Sequence, residues 1–378
     1  MDVLTDCKRN KVVHKTERTH AEFNAPLILM FHKANPYNGM PRGISDEGDT
    51  CFMNTSFHML LRVGPVVEYL EAVHEYCLTH KVCVVQSKYQ LDLLLQLKNL
   101  GDYLLGSSRC LDEHDDEGRI WSCGDIIRAM AREAVQLGDK VAFERSFAKG
   151  QHCVNDFLEA FMNFLKMPLN VSGFPVLSTC YDSTSFVYAE CMQCEAKIKT
   201  AEHVGINSVT LGVPDSRGPR SDNICKALKR IQQDRTIKHM KCYSDICVGS
   251  TCLMNETCDP LSIVPPVCVF ALQRIRCEQS KYTKATDFVG FSRNLNWMNK
   301  SAHELRCIIV HVGDGALVGH YISIVWVGQS ANGTDMYQLF DGLFTLAGLT
   351  WHDIKTDNLP AKYGSVFRNW TTLMFVKS

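Results

Sequence analysis

Cys51 stands where a thiol could act as a nucleophile. The residues before it, from Gly43 to Asp49, include two glycines and three acids and predict a tight loop, whereas apolar residues recur with roughly helical period from Phe52 onward. Cys51 therefore lies where a loop enters a helix. The unpaired N–H groups and the positive dipole end of a helix N-terminus favour an anion, which makes a thiolate available for attack. The alternative is that Cys51 is one more buried thiol among the 18 cysteines of the chain.

A cysteine nucleophile needs a histidine that accepts its proton, normally distant in sequence. His320 is the preferred candidate among the 14 histidines, because three glycines make the preceding loop (residues 313–319) pliable and a strand pattern begins at Tyr321. A histidine at such a loop-to-strand junction can face a cleft. The alternative is a hydrogen-bonded surface or core histidine.

The third group that such a pair needs is a polar side chain that orients the imidazole. Asp341 directly follows the strand pattern of residues 336–340. A hairpin that returns through the polar turn at residues 329–335 would bring this carboxylate beside His320.

The elements that must position these residues fall into two halves. Residues from about 45 to 168 repeat Leu, Val, Ile and Phe at helical spacing, with Gly101 as a plausible helix stop, and residues 224–240 also have a helix-like pattern. From Val171 onward most apolar runs are short, β-branched or aromatic, and punctuated by Gly and Pro, beginning with Val176-Leu177. Without an internal repeat or a low-complexity linker, the pattern predicts one continuous α+β fold with a helical lobe and a strand lobe.

Composition narrows the class of protein. The chain has 378 residues, of which 46% are apolar, and its 40 Lys plus Arg balance 41 Asp plus Glu, so no excess charge indicates nucleic acid or a membrane surface as a partner. The N-terminal residues lack a signal peptide and no stretch is long enough to span a membrane, so we expect a reducing compartment in which cysteines are thiols, metal ligands or nucleophiles. The acidic loop at residues 112–117 is interpreted as a solvated surface rather than a divalent-metal site.

Five segments, in order, resemble motifs of the ubiquitin-specific protease family. They are residues 46–61 (its cysteine box), 151–158 (its glutamine-acid box), 265–274 (the strand after its zinc-binding fingers), 319–321 with 340–341 (its histidine box) and 372–377 (its final strand). The correspondence covers about residues 40 to 378, and the cysteine box alone is a specific signal.

The resemblance implies a papain-like fold with a helical thumb, a β-rich palm and zinc-binding fingers. The catalytic domain would occupy residues 41–378 after an N-terminal extension of residues 1–40. Within it we expect the thumb at about 41–168, the fingers at about 183–262, and the palm at about 169–182 and 263–378.

The implied activity is that of a thiol-dependent ubiquitinyl hydrolase, a cysteine isopeptidase that cleaves after the C-terminal Gly-Gly of ubiquitin or a ubiquitin-like modifier. Cys51 would attack the carbonyl, His320 would act as base and then as acid, and Asp341 would hold His320. The substrate-binding residues would be Gln151, Asp156, Gly319 and Tyr321. Expected partners are the modifier and ubiquitinated proteins, in the cytoplasm, the nucleus or both, and no organic cofactor is implied.

Two positions depart from the family pattern. Asp46 stands where the family often has an Asn that donates to the oxyanion, and an ionised carboxylate cannot donate. Cys153 replaces an acid that, together with the one matched by Asp156, reads an arginine in the modifier's tail. These departures leave two alternatives open: a weak or inactive ubiquitin-binding pseudoenzyme, and a protease for SUMO or another ubiquitin-like modifier. A papain-like viral polyprotein protease is a further alternative.

Cys191 and Cys194 have the two-residue gap of a zinc knuckle, and tetrahedral Zn²⁺ needs a second pair. The resemblance favours Cys242 and Cys247, although Cys252 could replace either. Such a zinc would be structural, because all four positions would be filled. The alternative is that these are unpaired thiols at the tips of β-fingers.

Overall fold

The computed structural model describes residues 42–46, 49–62, 65–80, 88–105, 126, 152–165, 177–205, 211–212, 221–233, 235–242, 244–278, 281–296, 302–315 and 318–377. The predicted extension of residues 1–40, the acidic loop of residues 112–117 and Gln151 lie outside these ranges. Within them, no helix combines the length and the apolar character that crossing a membrane requires.

Helices dominate the described N-terminal half. In chain order the helices are α1 (Cys51–Leu61), α2 (Pro65–His80), α3 (Lys88–Leu105), α4 (Val154–Leu165), α5 (Ser178–Tyr181), α6 (Ile224–Gln233), α7 (Trp351–Lys355), a 3₁₀ turn (Ala361–Tyr363) and α8 (Val366–Asn369). The first four form one packed group, in which α1 contacts α2, α3 and α4.

Strands dominate after residue 182. They are β1 (Ser183–Cys191), β2 (Lys197–Gly205), β3 (Leu211–Gly212), β4 (Ser221–Asn223), β5 (Arg235–Lys241), β6 (Thr251–Ile263), β7 (Val267–Gln273), β8 (Ile275–Glu278), β9 (Lys281–Lys284), β10 (Phe288–Gly290), β11 (Asn294–Asn296), β12 (Ala302–Val312), β13 (His320–Gln329), β14 (Asp335–Asp341), β15 (Phe344–Thr350) and β16 (Trp370–Lys377).

The largest sheet has the strand order β15-β14-β13-β12-β16-β7-β3, with β11 paired to β12. Its neighbours are antiparallel except for the parallel pair β3–β7. The register places Val312 opposite His320 and Ser323 opposite Phe340. The three strands β12, β13 and β14 therefore form a meander that ends at Asp341.

Both faces of this sheet are covered. On β12, Cys307 and Ile309 belong to the core shared with helices α1 to α4, whereas Ile308 and Val310 belong to a second core on the opposite face, with α6 and α8. Successive side chains of a strand point to opposite faces, so a strand buried on both sides is apolar at consecutive positions. This explains the unbroken apolar run at the end of β12.

Helix α1 is buried along its whole length and packs against β13. Its aromatic side chains meet those of α4: Phe57 makes edge-to-face contacts with Phe157 and Phe161, at centroid separations of 5.8 and 5.4 Å. On the side facing the sheet, His58 stacks on Phe340 at 4.2 Å. Such contacts hold the start of α1 in a fixed position relative to β13 and β14.

A separate four-stranded antiparallel sheet has the order β2-β1-β6-β5. Its core is small and consists of Ala189, Met254 and buried cysteines, with partly buried side chains packed around them. A core of this size buries little apolar surface.

The structure corrects three details of the sequence interpretation. Gly101 does not stop its helix: α3 continues to Leu105, and Val67 lies close enough that a Cβ at Gly101 would be 3.7 Å from its side chain. The helix-like pattern of residues 224–240 is split: α6 ends at Gln233 and the following residues pair with β6 as β5. Leu177, expected in a strand, is in a turn before α5. In the first two cases tertiary contacts override the local preference.

Candidate active site

His320 and Asp341 meet at the open end of the β13–β14 hairpin. Extending the Ser323–Phe340 pairing by one residue places Ile322 opposite Asp341, so His320, two residues away, projects from the same face. The Nε2 atom of His320 lies 2.6 Å from Oδ1 of Asp341. Because a carboxylate only accepts, Nε2 carries the proton in this bond.

The other ring nitrogen of His320, Nδ1, is left for the side-chain hydrogen bond with Cys51. That bond is the main reason that the pKa of His320 is raised to about 9, and the bond to Asp341 adds to the rise, whereas burial opposes it. Cys51 is the first residue of α1 and is only 5% exposed. The structure thus brings together the three residues that the sequence singled out, in the order Cys51, His320, Asp341.

The second carboxylate oxygen of Asp341 is also occupied. Oδ2 accepts hydrogen bonds from Nζ of Lys362 at 2.9 Å and from the hydroxyl of Tyr363 at 2.8 Å. Burial alone would raise the pKa of Asp341, but the hydrogen bonds from Lys362, Tyr363 and His320 outweigh it and lower that pKa. The carboxylate is therefore ionised at neutral pH.

Asp46 turns its carboxylate toward the start of α1. Its Oδ1 accepts from the hydroxyl of Thr50 at 2.9 Å and from the backbone N–H of Thr50 at 3.3 Å. Asp46 thus ties the loop to the residue before the helix. The preceding backbone is fixed as well, because a Cβ on Gly43 would lie 2.2 Å from the carbonyl oxygen of Gly342, in the turn after Asp341.

The first turn of α1 offers backbone donors beside the thiol. The N–H groups of Met53 and Asn54 both bond to the carbonyl of Thr50, at 3.0 Å each. The N–H groups of Cys51 and Phe52 have no carbonyl one turn earlier within the helix, as is general for a first turn. N–H groups in this position are available to an anion at the N-terminus of a helix.

Gly319, predicted to bind substrate, packs directly against His311. A Cβ at this position would lie 2.2 Å from Nε2 of His311, so only glycine fits. Burial, together with the positive charges of Lys284 and His320, lowers the pKa of His311 to about 4. Lys284 donates to the carbonyl oxygens of His311, at 2.7 Å, and of Gly313. The strand β9 thereby supports the loop that leads into His320.

Tyr321, also predicted to bind substrate, points to the face of the sheet opposite to His320. It is buried, its ring lies 4.6 Å from that of His311, and its hydroxyl accepts a hydrogen bond from the N–H of Val154 at the start of α4. The burial raises its pKa. Tyr321 thus links β13 to α4.

Cys153 occupies the residue before α4, where side chains commonly cap a helix. Burial and the nearby charge of Asp156 raise its pKa, although N–H groups of Asp156 and Asn155 bond to it. Its thiol is therefore neutral at pH 7. Asp156 itself is exposed in the first turn of α4, where partial burial of its carboxyl group raises its pKa.

The four cysteines predicted as zinc ligands come together at the end of the small sheet. The sulfur atoms of Cys191, Cys194, Cys242 and Cys247 all lie within 4.8 Å of one another. The separations are 3.9 Å for Cys191–Cys247 and 3.5 Å for Cys194–Cys242. Cys252 is near but outside this group, and its thiol lies 3.4 Å from the side-chain oxygen of Gln193.

This group fits Zn²⁺. Four thiolates about 2.3 Å from a central zinc would be about 3.8 Å apart along the edges of a tetrahedron, close to both sulfur separations. Hydrogen bonding, chiefly from Ser244, lowers the pKa of Cys194 to about 6, and backbone hydrogen bonds also lower that of Cys191, whereas burial raises that of Cys247. Metal binding would therefore have to release the proton of Cys247. None of the described cysteines forms a disulfide.

Several contacts of the site were not found from the sequence. Lys362 and Tyr363 touch Asp341 and Lys284 supports the loop before His320, but no motif marks them and each is distant in sequence from its partner. Thr50 could have been found, since a Thr before a predicted helix is a common cap residue.

Comparison with known proteins identifies the family and the fold. The sequence profile described as "Ubiquitin carboxyl-terminal hydrolase" matches residues 42–342. No curated protein sequence matches the chain. Among solved structures, the fold is similar to the SAGA Ubp8/Sgf11/Sus1/Sgf73 DUB module bound to ubiquitin aldehyde, with a TM-score of 0.65 and 15% identity over 95% of this chain and 74% of that one.

The same module with a Cys-to-Ala change in Ubp8, bound to monoubiquitin, is similar at a TM-score of 0.63 and 14% identity, with the same coverage of the two chains. At this identity the likeness concerns the fold, while the profile match extends over most of the sequence. The chain therefore belongs to the ubiquitin carboxyl-terminal hydrolase family and is a deubiquitinating cysteine protease with a papain-like fold.

Proposed function

We propose that Cys51, His320 and Asp341 carry out the hydrolysis of the bond after the C-terminal Gly-Gly of ubiquitin or a ubiquitin-like modifier. The observation that carries this assignment is the connected pair of hydrogen bonds between Cys51 and His320 and between His320 and Asp341. The solved modules with a similar fold hold ubiquitin aldehyde and monoubiquitin, which supports ubiquitin as the modifier.

In the first half of the reaction, the Cys51 thiolate attacks the carbonyl carbon of the terminal glycine. The His320 imidazolium then gives its proton to the departing amine, and the C–N bond breaks to leave a thioester. In the second half, His320 takes a proton from water, whose oxygen attacks the thioester, and Cys51 leaves as the thiolate. Asp341 keeps the imidazole oriented through both halves.

The oxyanion of each tetrahedral intermediate must be stabilised by donors. The side chain of Asp46 accepts hydrogen bonds from Thr50 and is not placed as a donor to the oxyanion. We assign this role to the first-turn backbone N–H groups of α1, foremost that of Cys51. Asp46 contributes by holding the loop against the helix start.

Recognition of the modifier's tail is proposed to involve Asp156, Gly319 and Tyr321, together with Gln151 from outside the described residues. Because Cys153 is neutral, Asp156 faces a tail arginine alone, which weakens the attraction for a tail of the ubiquitin type. A ubiquitin-like modifier with a less basic tail is thus the second candidate substrate.

A change of charge at Cys153 tests this interpretation. Cys153→Asp should raise kcat/KM for ubiquitin several-fold, whereas Cys153→Ser, without the charge, should not.

We propose that Cys191, Cys194, Cys242 and Cys247 bind a structural Zn²⁺. When bound, the metal would cross-link the end of β1 to the loop after β5. It would take no part in the chemistry, since its four positions would be filled.

The proposed layout is a thumb at about residues 41–168, fingers at about 183–262, and a palm at about 169–182 and 263–378. A catalytic thiol and free cysteines suit a reducing compartment, so we place the protein in the cytoplasm, the nucleus or both.

A ubiquitin probe with a C-terminal electrophile tests the proposal. Wild-type protein should gain the mass of one probe, on Cys51, and Cys51→Ala should gain none. A probe of the same chemistry on SUMO compares the modifiers directly. Folded wild-type protein that leaves Cys51 unlabelled by every modifier probe would overturn the assignment, and labelling without turnover would identify a binding protein instead.

A further inference from the structure

Two residues other than Cys51 and His320 bind the second carboxylate oxygen of Asp341, Oδ2. Oδ1 of Asp341 bonds to His320, whereas Oδ2 accepts from both Lys362 and Tyr363. The tyrosine is 2% exposed, but the side chain of the lysine is 58% exposed. Two donors of different charge and different burial therefore share one carboxylate oxygen. We call this pair of donors the Lys362–Tyr363 clamp.

The clamp is held in place from outside the site. Nζ of Lys362 lies over the rings of Phe344 and Tyr363, at 4.9 and 4.5 Å from their centroids. Asp357, before the clamp, bonds to residues after it: its carboxylate accepts from the hydroxyl of Ser365 at 2.6 Å and from the N–H of Val366. The 3₁₀ turn that carries the clamp is thus anchored on both sides.

We propose that the Lys362–Tyr363 clamp positions the Asp341 carboxylate and that the charge of Lys362 limits how strongly this carboxylate stabilises the His320 imidazolium, thereby setting the upper pH limit of the reaction. The proposal rests on the proposed function of the three residues. In this arrangement Tyr363 fixes geometry and Lys362 adjusts electrostatics. Both are positioning residues, since they touch Asp341 and not the reacting atoms.

The charges around His320 determine the sign of the effect. His320 faces Cys51 from α1, Asp341 from β14 and His311 from β12, and Asp341 in turn faces Lys362 and Tyr363. Burial keeps His311 neutral above pH 4. Hydrogen bonds to Tyr363 and Asp341 raise the pKa of Lys362, so the ammonium stays charged through the working range. Lys362, bound to the same carboxylate as His320, is therefore a positive charge that opposes the imidazolium.

Lys362→Met should move the alkaline limit of activity upward by about half a pH unit, the size expected when a unit charge a few ångströms away is removed at the dielectric of water. Lys362→Arg keeps the charge and should leave the limit in place. Tyr363→Phe removes a neutral donor and should lower kcat several-fold with little change in KM. A role in folding alone would instead lower the melting temperature without moving the pH limit.

The decisive measurement is the rate at which iodoacetamide alkylates Cys51 from pH 5 to 10, followed on the Cys51 peptide by mass spectrometry. It reports the Cys51–His320 pair without any modifier, so it separates this proposal from the substrate assignment. Lys362→Met should shift the alkaline inflection upward, while Lys362→Arg and Lys355→Met, an exposed lysine on α7, should not. Equal shifts in all three variants, or no shift in Lys362→Met, would overturn the proposal.

Discussion

At the residue scale, Asp341 helps to keep His320 protonated. The pKa of His320 is raised to about 9, chiefly by the hydrogen bond with Cys51 and in addition by Asp341, so the imidazolium persists through neutral pH and is lost as the pH rises through that value. In Asp341→Asn the contribution of the negative partner is gone, and we expect the alkaline limit of kcat/KM to move part of the way down from about pH 9 toward the ordinary histidine value, with a loss of roughly tenfold or more in rate.

A pH–rate profile with a fluorogenic modifier substrate measures this shift. Glu159→Gln, which removes an exposed carboxylate on α4, is the matched control and should leave the profile as in wild type. An alkaline limit that stays near pH 9 in Asp341→Asn would show that Asp341 does not stabilise the imidazolium.

Asp46 is a second residue whose charge matters. Asp46→Asn keeps an oxygen that can accept from Thr50, removes a negative charge near the developing oxyanion, and adds an N–H₂ donor. One oxyanion donor is worth roughly 100-fold or more in kcat elsewhere, so we expect an increase of several-fold at least. Asp46→Ala, which loses the tie to Thr50, should lower kcat. Steady-state kinetics compare the two, and a fall in both would mean that the carboxylate itself is required.

At the scale of elements, the approach of the loop to β13 depends on Gly319. Gly319→Ala would place a Cβ 2.2 Å from Nε2 of His311, so the strand start, and His320 with it, must move. We expect kcat to fall by about tenfold or more, because small displacements of a catalytic group are costly. Gly101→Ala is the control, since its Cβ would meet only Val67 at 3.7 Å. Near-normal kcat in Gly319→Ala would mean that the loop tolerates the shift.

At the scale of the whole molecule, the small sheet and the two larger cores are separate hydrophobic clusters. We expect about one zinc per chain by metal analysis, lost in Cys194→Ser and retained in Cys252→Ser. Zinc loss should raise KM for the modifier and lower the melting temperature, while alkylation of Cys51 by a small reagent remains. Zinc loss in both variants would place Cys252 among the ligands, and no zinc in wild type would leave the cysteines as thiols.

The sequence by itself determined the class of fold, the order of helical and strand regions, and the identities of Cys51, His320 and Asp341 as candidates. It could do so because loop-to-helix junctions, hairpins and strand runs are local patterns, and because motif order survives where overall identity is low. The first cysteine pair was also within reach, since the knuckle spacing of Cys191 and Cys194 is local, whereas the second pair, Cys242 and Cys247, was expected only from the family resemblance. Their roles stay predictions until the experiments above are done.

Tertiary structure alone decided which groups surround those candidates. Lys362 and Tyr363 reach Asp341 across about 21 residues of chain, and Lys284 reaches the end of β12 from another hairpin. Neither contact follows from a repeating pattern, because hydrogen bonds between distant segments depend on how the sheet and its connections pack rather than on local propensity. The same reason explains why α3 runs through Gly101 and why residues 235–241 pair as a strand: packing partners far away in the sequence outweigh the preference of the segment itself.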